Sequence, residues 1–190
     1  MRNRSKIDRF HFVRALFAIA AILMMPGIAW AENPQGGNLM FILDASGSMW
    51  GQVEGKAKIA IAKEVLIDLI EDLPQGLNVG LVAYGHRRKG DCNDVEELVT
   101  LGLLDKQNLI NKIKGISPRG KTPITLSVKK TAEKLKTLED ETTIILVSDG
   151  KETCEGDPCA LVKELRESGI RFVMHVNQGA RGQCAGVLGF

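Results

Sequence analysis

The sequence predicts an α/β protein, a sandwich whose central sheet is mostly parallel. Three observations carry that prediction. Continuous apolar runs of strand length stand at Asn38–Leu43, Asn78–Tyr84, Thr142–Ser148 and Ile170–Val176, as strands covered on both faces should read. Longer stretches with apolar residues at helical spacing separate them, and strand–helix alternation gives parallel pairing. Two of the runs end in short polar loops, Asp44-Ala-Ser-Gly-Ser48 and Ser148-Asp-Gly150, and ligands of such sheets gather at the strands' carboxyl ends. A chain of 190 residues, 44% of them hydrophobic, has enough material for one such core.

Before the first strand comes a different kind of segment. Arg2, Arg4, Lys6, Arg9 and Arg14 face only Asp8 in the first 14 residues, and Ala15–Ala31 is uncharged. A basic start, a short apolar run and Ala29-Trp30-Ala31 describe a signal peptide over residues 1–31, cut before Glu32. The rival is a retained membrane anchor. The run falls short of the roughly 20 residues a span needs, and Pro26-Gly27 interrupts it. Export to the periplasm or outside the cell is therefore expected, with the membrane involved only through this signal. Five of the 25 basic residues and one of the 23 acidic ones lie here, so the rest carries 20 against 22, a net charge of −2. The mildly basic total gives no support for nucleic-acid binding.

After a short linker, residues 32–37, the elements follow in order. Asn38–Leu43 is the first strand. Ile59, Ala62, Leu66, Leu69, Ile70 and Leu73 mark a helix within Lys56–Leu73, which Pro74-Gln-Gly76 stops. Asn78–Tyr84 is the second strand. A polar loop, residues 85–94, leads to a less apolar strand around Val95–Leu101, expected to run back along an antiparallel edge. Asp105 caps a helix to Lys114. Gly115–Thr122 interrupts, and Pro123 suits the first turn of a helix burying Ile124, Val128, Leu135 and Leu138. Thr142–Ser148 is a strand, Cys159–Ser168 a short helix that Gly169 stops, and Ile170–Val176 the last strand.

Asp44, Ser46 and Ser48 alternate in one loop, so their oxygens can converge. These hard donors suit Mg²⁺ or Mn²⁺ better than zinc. Asp149 ends a parallel strand that can lie alongside, and the expected path brings Thr122 to the same edge. Two other readings compete. Gly115-Ile-Ser-Pro-Arg-Gly-Lys-Thr122 fits the nucleotide-binding pattern G-x-x-x-x-G-K-[ST]. That cradle needs a strand before it and free backbone donors, whereas helical spacing precedes Gly115 and Pro118 removes one donor. An Asp44 nucleophile of the haloacid-dehalogenase kind would need a second aspartate where Ser46 stands. His86 and His175, the only histidines after the signal, complete no acid–base set.

Asp-x-Ser-x-Ser after a first strand, Thr after a Gly-containing turn and Ser-Asp-Gly after a later strand resemble von Willebrand factor A (VWA) domains over about residues 37–176. The resemblance implies a three-layer, Rossmann-like sandwich with one antiparallel edge strand, the domain running over 38–176. It also implies a metal-ion-dependent adhesion site (MIDAS). Asp44, Ser46, Ser48 and Thr122 fall on its metal-binding positions, and Asp149 on one that acts through water. Such a site leaves one Mg²⁺ or Mn²⁺ position open for an Asp or Glu of a protein partner and performs no catalysis. Trp50 is a candidate partner contact, with packing on the next helix as its alternative. Arg87 and Arg88 can steer an acidic partner. The other functional class is an envelope-assembly or chaperone-like subunit in which the metal is mainly structural. The family continues into a further helix and strand, which the Gly-rich residues 177–190 do not supply, so an atypical or truncated end is expected. Four cysteines, Cys92, Cys154, Cys159 and Cys184, allow three pairings. The short spacing favours a local Cys154–Cys159 bridge.

Overall fold

The computed structural model describes residues 37–136, 142–167 and 171–176, the last strand by its backbone after Arg171. The expected signal peptide, most of the linker and the 177–190 tail, with the question of a missing helix and strand, lie outside the described residues. The strands are β1 (Asn38–Asp44), β2 (Gln52–Val53), β3 (Lys56–Ala57), β4 (Asn78–Tyr84), β5 (Val95–Leu103), β6 (Thr142–Ser148) and β7 (Arg171–Val176). The helices are α1 (Lys58–Asp72), α2 (Lys106–Gly115), α3 (Ile124–Leu135) and α4 (Pro158–Glu167), with a 3₁₀ turn at Gly47–Trp50.

Five strands form one sheet in the order β5-β4-β1-β6-β7, and β2 pairs with β3 as a separate small hairpin. β1 is central and parallel to both β4 and β6. β6 and β7 are parallel, whereas β5 runs antiparallel to β4 as the edge strand. This is the expected mixed sheet, and its layers follow from the alternation of β1. Phe41 and Leu43 face one core with Leu66 and Ile70 of α1 and Leu109 and Ile113 of α2. Met40 and Ile42 face the other, with Val128 and Leu135 of α3 and Leu161 and Leu165 of α4. Full burial of each such side chain contributes roughly 2 kcal/mol.

Most elements lie where the sequence puts them. The Asp105 side chain accepts a hydrogen bond from Asn108 N at 3.0 Å, capping α2. α1 starts at Lys58, after Lys56, because Lys56-Ala57 pairs with Gln52-Val53 across a tight turn. Glu54 (φ 51°) and Gly55 (φ 80°) make that turn. Ile59, Ala62, Leu66 and Ile70 are buried, whereas Leu69 is 38% exposed. Leu138, expected on α3, lies outside the described residues.

Candidate metal centre

The central position of β1 puts Asp44 beside the end of β6, since Leu43 lies opposite Val147. Asp44 is fully buried. Its Oδ1 accepts from Ser46 N at 2.8 Å and its Oδ2 from Ser148 Oγ at 2.6 Å. Tyr84, opposite Asp44 on β4, donates to Ser148 Oγ at 3.2 Å. Burial pushes the Asp44 carboxyl above its ordinary value, against the hydrogen bonds from Ser148 and Ser46. Burial, then the charge of Asp44, pushes the Tyr84 phenol well above its own.

A second relay runs along the cleft face. Ser48 Oγ donates to Asp149 Oδ1 at 2.9 Å and lies 2.9 Å from Ser46 Oγ. A serine hydroxyl has one proton, so with that of Ser48 given to Asp149 the proton of Ser46 goes to Ser48 or to Asp44, which also takes a side-chain hydrogen bond from Ser46. Both hydroxyls thus spend their protons within the site and keep lone pairs for another ligand. The remaining Asp149 oxygen, Oδ2, accepts from Lys58 Nζ at 2.5 Å.

Thr122 reaches the same edge because the segment after α2 is laced to the β1 loop. Arg119 N donates to Ala45 O at 3.0 Å and Gly47 N to Gly120 O at 3.0 Å. Gly85 clamps this segment from the far side. Its carbonyl accepts from Arg119 N at 2.9 Å and Gly120 N at 2.7 Å. Gly85 has φ +70°, and a Cβ there would stand 2.5 Å from Lys121 O, so a side chain is disfavoured twice. Thr122 itself is buried, and its N donates to Thr153 Oγ1 at 2.9 Å. Thr153 N returns a bond to Thr122 O at 3.2 Å. These contacts also decide the nucleotide question. Gly115 closes α2, with no strand before it, and the amides of Arg119, Gly120 and Thr122 are already bonded within the protein. No phosphate cradle exists there.

Asp44, Ser48 and Thr122 converge at Gly150. A Cβ placed on it would lie 3.4 Å from Thr122 Cγ2, 3.6 Å from Ser48 Oγ and 3.7 Å from Asp44 Oδ2. The missing side chain keeps that point open, in a cleft of about 360 Å³ lined also by Lys58, Lys121, Asp149 and Lys151. Among the described residues no three His, Cys, Asp or Glu side chains form a metal cluster. A cation here would rest on two carboxylates and three hydroxyls, a hard-oxygen set that fits Mg²⁺ or Mn²⁺.

The suggested contact residues divide. Trp50 is 56% exposed, so it does not bury itself on α1, and its Nε1 donates to Pro118 O at 3.0 Å. Arg87 is engaged internally. Its Nε donates to buried Asp94 Oδ1 at 2.7 Å and lies 3.3 Å from Glu96 Oε2. Arg88 pairs with Asp91 at 2.9 Å, yet its side chain is 62% exposed.

The local bridge expected between Cys154 and Cys159 is not formed. Cys154 is bonded to Cys92, with Cα atoms 5.6 Å apart, and Cys159 is itself disulfide-bonded. The loop explains why. Glu152 Oε1 accepts from Cys154 N, while Asp157 Oδ1 accepts from Cys159 N and Ala160 N. Two separate side-chain turns hold the cysteines, and Cys159 is drawn into the first turn of α4. Cys92, on the loop after β4, meets Cys154, on the loop after β6, because both strands run parallel to β1, one on each side, and their loops leave the same sheet edge. Sequence reading missed Lys58, Gly85 and Thr153 here, and it named Ser148 in the strand-end motif without giving it a role. Only Ser148, beside Asp149 at a strand end, carried a local signal.

The chain is 28% identical over 155 residues to YwmD of Bacillus subtilis (strain 168), an alignment covering 77% of this chain and 69% of YwmD. In fold it is similar to the manganese-loaded TRAP protein of Plasmodium vivax, with TM-score 0.62 and 21% identity. That match covers 79% of this chain and 61% of TRAP. It is also similar to proximal thread matrix protein 1 of the mussel byssus, whose MIDAS motif is zinc-occupied, with TM-score 0.59 and 18% identity. Here 73% of this chain and 35% of the other are covered, so the chain spans less than two thirds of either solved structure. The von Willebrand factor type A domain model matches residues 38–180, most of the chain and every residue of the site just described. With sheet order, strand-end loops and sequence model in agreement, this chain belongs to the von Willebrand factor type A domain family.

Proposed function

We propose that this protein is an exported binding module that takes a divalent cation, Mg²⁺ or Mn²⁺, at Asp44, Ser46, Ser48, Thr122 and Asp149. Through that cation it docks an acidic residue of a protein partner. The observation that carries the reading is the contact of the Ser46 and Ser48 hydroxyls with each other and with the carboxylates of Asp44 and Asp149. Both serines spend their protons inside the protein, which leaves oxygen lone pairs for a cation beside Gly150. The manganese-loaded TRAP structure and the zinc-occupied site of the byssus protein support divalent binding on this fold. The choice of Mg²⁺ or Mn²⁺ rests on the oxygen-only donor set.

The bound cation would supply an electrophilic position that exchanges water for a carboxylate. The protein's residues do the rest. Asp44 is held by Ser46 N and Ser148 Oγ, so it enters the site already oriented. The reciprocal bonds with Thr153 fix the Thr122 backbone. Lys121 and Lys151, exposed on the cleft, attract an acidic segment. Trp50 offers a rim contact whose ring is anchored at Pro118, and Arg88 adds positive charge. Arg87 serves the loop rather than the partner. The reading is one of binding rather than catalysis, and export rests on residues 1–31.

Calorimetric titration of the purified, chelator-treated protein with Mg²⁺ and Mn²⁺ tests the proposal. One site is expected in the wild type, with none detectable in Asp44→Ala or Ser46→Ala/Ser48→Ala. Equal ion uptake by wild type and Asp44→Ala would sink the reading.

A further inference from the structure

We infer that Lys58 is a resident competitor for the cation site, one that lowers its affinity for divalent ions and stabilises the protein when no ion is bound. The inference deepens the cation-binding reading above and rests on it. Its starting point is a contest for one atom. Asp149 Oδ1 already accepts from Ser48 Oγ at 2.9 Å, so Oδ2 is the carboxylate's other oxygen, and Lys58 Nζ lies 2.5 Å from it. The pair is sheltered, with side chains 27% exposed for Lys58 and 3% for Asp149. A sheltered pair is less screened by water and salt than a surface one.

Lys58 is placed by the backbone rather than left to a mobile surface rotamer. It is the first residue of α1, and its N donates to Gly51 O at 2.8 Å. A Cβ on Gly51 would stand 3.3 Å from Lys58 Cε and 3.5 Å from Nζ, so the lysine stem crosses the space that glycine leaves. The first turn of a helix is an unfavourable place for a cation, because the helix dipole is positive there. Asp149 compensates that placement directly. The same ammonium lines the cleft with Ser48, Thr122 and Gly150.

The electrostatic consequence follows. Asp44 and Asp149 provide the negative charge that would hold a divalent cation, and the lysine neutralises one unit of it. An incoming ion must either displace Nζ from Oδ2 or bind with that positive charge still on Asp149. Both routes weaken binding. The lysine also gives Asp149 a counter-charge from within the protein.

The test compares wild type with Lys58→Met and Lys58→Gln, which remove the charge, and Lys58→Arg, which keeps it. Each chelator-treated protein is titrated with Mn²⁺ and Mg²⁺ by calorimetry and melted with and without saturating ion. Charge removal is expected to tighten ion binding by about tenfold or more, and Lys58→Arg to leave it within about threefold of wild type. Without ion, Lys58→Met and Lys58→Gln should melt below wild type, and saturating ion should raise their melting points more than it raises that of the wild type. Equal or weaker binding by both neutral variants, with measurable uptake in wild type, overturns the inference alone. No uptake by wild type or any variant overturns the cation reading, and this inference with it.

Discussion

Cys92 and Cys154 stand 62 residues apart in sequence and join the loop after β4 to the loop after β6. Replacing both, as Cys92→Ala/Cys154→Ala, removes that tether and leaves Cys159 untouched. In the chain-entropy description of a cross-link, a closed loop of this size restricts the unfolded chain by about 4 kcal/mol at room temperature. A short Cys154–Cys159 ring would give about 2 kcal/mol by the same relation. With a urea dependence of about 2 kcal/mol per molar, the variant's unfolding midpoint should fall by about 2 M. The assay is equilibrium urea unfolding followed by circular dichroism, paired with peptide mapping of the unreduced protein. Mapping should recover the peptide holding Cys92 linked to the one holding Cys154. A midpoint shift under about 0.5 M, or a recovered Cys154–Cys159 peptide, would refute the reasoning. The variant also reports on the site. Thr153, next to Cys154, makes the reciprocal bonds to Thr122, so ion affinity should drop together with stability.

Two further outcomes follow from neighbouring features. Asp94 is fully buried and accepts from Arg87 N, Arg87 Nε and Arg88 N. Burial alone would raise its carboxyl, but the hydrogen bonds from Arg88 and Arg87 and the guanidinium charge outweigh it, and the net shift is downward. The folded state therefore holds its proton less tightly than the unfolded one. The stabilisation is complete above the ordinary carboxylate range and is lost as pH falls below about 4. Asp94→Asn should cost about 2–3 kcal/mol at neutral pH and flatten the acid limb of melting temperature against pH. An unchanged acid limb would contradict this account. Gly85→Ala forces a Cβ onto Lys121 O at a positive φ and should cost at least about 2 kcal/mol in thermal unfolding while weakening ion uptake. A fully stable Gly85→Ala protein with normal ion affinity would show that the clamp is dispensable.

The strand and helix order was legible because each element satisfies its own period. Phe41-Ile42-Leu43 reads as a strand buried on both faces, and Ile59, Ala62, Leu66 and Ile70 read as one helical stripe. Asp44, Ser46 and Ser48 were legible as a set because their alternation lies within a single loop. Thr122 needed the topological path, and the structure brings it within reach of the same glycine. Long-range choices were hidden. Cys154 is closer in sequence to Cys159 than to Cys92, and only the adjacency of β4, β1 and β6 decides the pairing. Lys58 was hidden for another reason. On the helix pattern it is one more polar residue, and its contact with Asp149 spans 91 positions. The hairpin before α1 left only Glu54-Gly55 as a signal, in strands of two residues each.

Trp50 has a practical consequence beyond recognition. It is the only tryptophan after Trp30, so the folded domain contains a single indole. That ring is partly exposed, tethered at Pro118, and one residue from Met49, itself next to Ser48. Its emission is an intrinsic optical probe of one small region of the surface, free of background from other indoles in the domain. The proposed ion loading and partner docking are therefore expected to be readable by fluorescence, in real time and without a label.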